Sequence, residues 1–86
     1  MPAQLIERAL AEWRDGERLL REMPRLDPDH ETVRLAVTAL RETFHSLAGT
    51  SAATKEQLER GRARIDAAHD VIARVQSKLG PRDGAA

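Results

Sequence analysis

The chain contains no cysteine, which excludes disulfide frameworks, thiolate metal sites, thiol nucleophiles and redox switches together. Aromatic residues are nearly absent. Trp13 and Phe44 make up the whole 2%, so the core must be aliphatic and nothing is left over to stack nucleic-acid bases. An excess of charge is missing as well: fourteen basic residues balance fourteen acidic ones, which removes the global field that draws proteins to nucleic acid or anionic membranes. No apolar run is long enough for a transmembrane helix, and Met1 to Glu7 lacks the basic-then-apolar order of a signal peptide. The expectation is therefore a cytoplasmic protein with no membrane role.

The usual chemical signatures are missing too. There is no G-x-S-x-G, no phosphate-cradling glycine loop, no H-E-x-x-H and no dinucleotide fingerprint. No enzyme activity, cofactor or small-molecule substrate is expected. Arginine outnumbers lysine twelve to two and alanine is abundant, which suggests a GC-rich bacterial coding genome and carries no functional information.

What is present is helical periodicity. Ile6, Ala9, Leu10, Trp13, Leu19, Leu20 and Met23 recur at threes and fours, so a first amphipathic helix is expected over about residues 3–23. Pro24 ends it, and Asp27 followed by Pro28 signals the next start, with Asp29 and Glu31 against the positive helix end. A second helix over 28–48 buries Val33, Ala36, Val37, Leu40, Phe44 and Leu47, and Gly49 is placed to form a left-handed cap. Thr54 and Gln57 match a capping box for a third helix over about 53–79, stopped by Gly80 and Pro81. In it Leu58, Ile65, Ile72 and Leu79 recur every seven residues, with Gly61, Ala68 and Val75 as a second seam.

No strand alternation or long repeat appears, so the fold expected is an all-α, antiparallel up-down-up three-helix bundle, residues 1–80, with a disordered tail at 81–86. The third helix is the longest, and its end is expected to overhang its neighbours. Equal distance from the two turns groups Ile6 with Phe44 and Leu58; Trp13 with Val37 or Leu40 and Ile65; Leu20 with Val33 and Ile72; and Met23 with Leu26 and Leu79. Trp13 reads as the core anchor, with Gly16 giving room beside it. Three acid-to-arginine pairs at i,i+4, namely Glu17–Arg21, Glu56–Arg60 and Asp70–Arg74, mark solvated faces.

Three constellations bear on function. Reflection about the second turn brings His69 within about a turn of His30 and Glu31, but no fourth ligand is at hand and no metal site is expected. Arg14, Arg18, Arg21 and Arg25 line one side of the first helix and could meet phosphates; Arg60, Arg62 and Arg64 form a second cluster. Interleaved acids and the zero balance make nucleic acid the alternative reading. The leading one is a non-enzymatic interaction module. A core this small leaves little stability to spare, while Leu5, Leu35 and Val71 fall beside or off the seams. The expected partner is a second copy of the chain or a larger protein, met through Leu35, Leu58, Ile65, Val71, Ile72 and Leu79. Whether the heptad seam serves the chain itself or a partner is left open by the pattern.

Overall fold

The computed structural model describes residues 3–79. They form α1 (Ala3–Glu22), α2 (Pro28–Ala48) and α3 (Lys55–Leu79), each helix touching the other two, with no strand among the described residues. The fold is all-α, a three-helix bundle. Residues 81–86, expected as a tail, lie outside the described residues, as does residue 80.

The helix starts are written in side chains. Asp27 precedes α2 with extended backbone, φ −64° and ψ 128°, and its Oδ1 accepts from the Asp29 N–H at 2.9 Å. Pro28 takes the first helical position, where its missing N–H costs nothing. Before α3 the capping box closes in both directions: the Gln57 N–H donates to Thr54 Oγ1 at 3.1 Å, and the Thr54 N–H donates to Gln57 Oε1 at 2.8 Å. The end of α2 differs from expectation. Gly49 has φ −85° and ψ −1°, a right-handed conformation open to any residue, and its N–H donates to the His45 carbonyl at 2.9 Å.

Ala9, Leu19 and Met23 are buried as the spacing predicts, but the rest of the α1 face is turned from the expected one. Leu5, Ala9, Gly16 and Leu19 are enclosed, while Ile6, Trp13 and Leu20 are half-buried along the edge. Leu5, expected off the seam, is a core residue. The reason lies in the small residues: α1 approaches its neighbours where Ala9 and Gly16 leave room, so the bulky side chains flank that line of contact. A Cβ on Gly16 would stand 2.6 Å from Val37 Cγ2 and 3.1 Å from Ile72 Cδ1, so all three helices meet there. Gly16 thus makes room for α2 and α3, and not for Trp13.

Gly61 sits against Leu47 and Leu5. Moving along α1 from Leu5 to Gly16, the neighbours on α3 advance from Gly61 to Ile72. On α2 the order is reversed: Trp13 meets Phe44, with ring centroids 5.7 Å apart, and Gly16 meets Val37. Trp13 and Phe44 were expected in different layers. They meet because each side chain leans towards the N-terminus of its own helix, and on oppositely running helices those leans bring the rings together.

Leu19, Val33, Leu40 and Ile65 are the largest fully enclosed side chains. Thr43 joins them at 3% exposure, although its neighbour Phe44 was expected to take that place. Leu26, expected to close the end of the core with Met23 and Leu79, is 98% exposed; the turn between Pro24 and Pro28 carries it outwards while Met23 stays buried.

Polar side-chain contacts tie the helices at their rims. Arg8 meets Asp66 at 2.6 Å, His69 Nδ1 lies 2.7 Å from Glu12 Oε2, and Lys78 reaches Asp29 at 3.2 Å. The last contact fastens the end of α3 to the first turn of α2, and Leu79 packs half-buried against the core. The expected free overhang is therefore not seen up to that residue. Within helices the pairs close at i,i+3, Arg18 with Asp15 and Arg34 with Glu31, rather than at the three i,i+4 positions expected.

Candidate interaction surface

Burial sorts the residues proposed from sequence to meet a partner. Ile65 is fully enclosed and Ile72 nearly so, both spent on the chain's own core together with Gly61, Ala68 and Val75. Their part of the heptad seam is internal, so neither side chain is free for a partner in this fold. Leu58, Val71 and Leu79 are half-buried, and Leu35 is 56% exposed. Leu58 faces a different side, lining a cleft with Gln4, Leu5, Arg8 and Arg62. Leu79 lies near the Lys78–Asp29 contact.

Only Leu35 and Val71 come together. They line an open groove of about 470 Å³ between α2 and α3, with Ala36, Ala39, Ala67 and Ala68 also along it. Thr32 lies on the same groove, and Glu42 towards the end of α2 and Arg64 nearer the start of α3 give it two opposite charges. The groove exists because alanine occupies the facing positions of both helices. Short side chains leave a trough where leucines would have filled the gap. Two aliphatic side chains beside small residues, with charges at hand, is the composition of a surface that accepts an apolar face.

The arginine ridge presents itself differently. Arg14, Arg18, Arg21 and Arg25 are all exposed, but Arg18 is held by Asp15 at 2.6 Å and the exposed acids Glu17 and Glu22 lie among them. On α2, hydrogen bonding from Arg34 holds the Glu31 carboxyl below its usual range and pushes the guanidinium up in turn. Both groups are fully solvated, so this is a surface pair and no site. His30 stays at the start of α2 while His69 is taken up by Glu12. The grouping of His30, Glu31 and His69 is not formed, and no cluster of three or more potential ligands occurs among the described residues. None of the described helices is long and apolar enough to cross a membrane.

Two polar atoms escaped the sequence reading. Thr43 Oγ1 and Trp13 Nε1 are buried without a hydrogen-bond partner. The spacing of Ala36, Leu40, Thr43 and Leu47 carries Thr43 onto the core stripe, a signal that hydropathy alone conceals. Trp13 is half-buried, its ring against Phe44 and the exposed His45. Comparison with known proteins finds no protein family, no characterised protein and no solved structure that matches the chain.

Proposed function

We propose that the chain is a non-enzymatic interaction module that associates with a second copy of itself, or docks on a larger protein, through the α2–α3 groove. The observation that carries this reading is the pairing of the exposed Leu35 with Val71 beside a line of alanines. An exposed leucine alone is ordinary. One that lines an apolar trough together with a second aliphatic side chain offers both a knob and a hole, which is what a self-complementary contact needs. A cytoplasmic setting belongs to the same proposal.

Light scattering across a concentration series tests it. The expected result is a mass that rises with concentration for the parent chain and stays monomeric for Leu35→Glu, with unchanged thermal stability because that side chain is exposed. A strict monomer at high micromolar concentration refutes self-association. Docking on a larger protein then requires a partner from the native host that the parent chain retains and Leu35→Glu loses.

The second reading is a small regulatory nucleic-acid-binding protein that uses Arg14, Arg18, Arg21 and Arg25. The exposure of all four favours it, and the interleaved acids rank it lower. It requires a salt-sensitive mobility shift that weakens in Arg14→Glu and Arg18→Glu; no shift at low salt removes it.

A further inference from the structure

Where the end of α2 meets the start of α3, a cleft of about 130 Å³ is lined by Thr43, Ser46 and Thr50 from one side and by Gln57, Arg60 and Arg64 from the other. Its polar groups share one character. Arg60 and Arg64 are four residues apart, hence on one face of α3, and neither forms an ion pair with a described residue. No aspartate or glutamate lines the cleft. The side-chain oxygen of Gln57 is already engaged by the Thr54 N–H, which leaves its amide group as a donor. The Thr50 hydroxyl is already given to the Ser46 carbonyl, so the two guanidinium groups, the Gln57 amide and the Thr43 and Ser46 hydroxyls are the donors that remain, with two formal positive charges and no acidic residue lining the cleft.

An independent feature points the same way. Thr43 is 3% exposed, it lines this cleft, and its hydroxyl has no partner. A helical threonine ordinarily returns such a hydroxyl to the carbonyl one turn back, as Thr38 does to Arg34 at 3.1 Å, and even Thr50, just past the end of α2, gives its hydroxyl to the Ser46 carbonyl at 2.8 Å. An unsatisfied buried hydroxyl is destabilising, and its presence beside a donor-lined cleft calls for an acceptor.

We propose that this cleft binds a phosphate-type oxyanion, either free inorganic phosphate or the phosphate group of a small monoester. Two arginines match the charge of a dianion. The further donors exceed what the two oxygens of a carboxylate could use. A volume of about 130 Å³ leaves room for a five-heavy-atom anion. The site does not depend on the α2–α3 groove being an interface, although Arg64 lines both.

The test is a titration with inorganic phosphate followed by amide NMR shifts, at neutral pH and at ionic strength held constant with chloride. The expected result is saturable change confined to the neighbourhood of Thr43, Thr50 and Gln57 to Arg64. Affinity should fall at least tenfold in the Arg60→Gln, Arg64→Gln double variant, both of whose sites are exposed. It should fall several-fold in Thr43→Val, which puts a methyl group where the hydroxyl stood, and which melts no lower than the parent. Glycerol 3-phosphate forms a second arm: tighter binding than inorganic phosphate identifies a monoester site, and weaker binding a free-phosphate site. Absence of saturation in both arms overturns the proposal, as do shifts that persist undiminished in the double variant.

Discussion

Replacing Gly16 with alanine sets two effects of opposite sign against each other. In an exposed helix interior the change stabilises by about 1 kcal/mol, because glycine is the poorer helix former. At this position the new Cβ would stand 2.6 Å from Val37 Cγ2 and 3.1 Å from Ile72 Cδ1, whereas carbon atoms rest at about 3.5–4.0 Å. Ile72 meets the intrusion with the tip of a long side chain, which can move aside. Val37 cannot: its γ-methyl sits directly on Cβ, and a β-branched side chain in a helix has one strongly preferred rotamer. Relief must therefore come from separating α1 from α2 by a large fraction of an ångström, an overpacking cost of about 1–3 kcal/mol. The cost exceeds the propensity gain, and the net expectation is a loss of about 1–2 kcal/mol, at roughly 4–8 °C of Tm for each kcal/mol in a domain of this size.

Thermal and urea denaturation followed by helical circular dichroism measure the loss. The Val37→Ala background supplies the decisive comparison, since removing the obstructing methyl should recover about 1 kcal/mol or more of the Gly16→Ala penalty as a coupling energy. Gly61→Ala is the internal control. There the nearest atom is Leu47 Cδ1 at 3.3 Å, the mobile end of a leucine, so stability should hold or rise slightly. A higher Tm for Gly16→Ala in the parent background would refute the three-helix contact at that glycine.

Thr54→Ala removes the hydroxyl half of the capping box and should cost about 0.5–2 kcal/mol by chemical denaturation; no change would mean that α3 is held by packing alone. Leu26→Ser, at a side chain that is 98% exposed, should leave Tm unchanged within the ~0.5 kcal/mol usual for surface substitutions, and a clear drop would place Leu26 in the core after all. Arg34→Gln should raise the Glu31 carboxyl titration, followed by carbon NMR, back towards the ordinary glutamate value. Because the carboxyl is held low in the folded state, the pair's small contribution is complete above the unfolded value of about 4.3. It is lost as the pH falls through the lower folded one.

Much of the architecture was legible because helix boundaries are local chemistry. Asp27 with Pro28, and Thr54 with Gln57, announce two helix starts in side chains that need only a few neighbouring residues to act. The face each helix buries was less legible, because it depends on neighbours distant in the chain. Hydropathy placed Ile6, Leu10 and Trp13 inwards on α1, but close packing favoured the line of Ala9 and Gly16 and drew Leu5 in with it. The same blindness hid Thr43, a polar residue at a core spacing. Of the surface residues, Leu35 and Val71 were readable as apolar side chains off the seam. The trough beside them was not, since it is defined by what the alanines of two helices leave empty. Ile65 and Ile72 were readable both as core layers and as a partner seam, because an internal seam and a coiled-coil interface ask for the same residues; their burial assigns them to the core.

The ring cluster gives the molecule its own optical reporter. Its single tryptophan packs tilted against Phe44 and edge-on against His45 of α2, and its indole N–H is shielded from water and has no partner. Emission from such an indole is blue-shifted while α1 and α2 stay docked and moves to the red when they part and water reaches the ring. No second tryptophan or tyrosine competes with the signal. Fluorescence therefore follows exposure of the ring while circular dichroism follows the loss of helix, and coincidence of the two on one unlabelled sample tests whether the bundle opens as a unit.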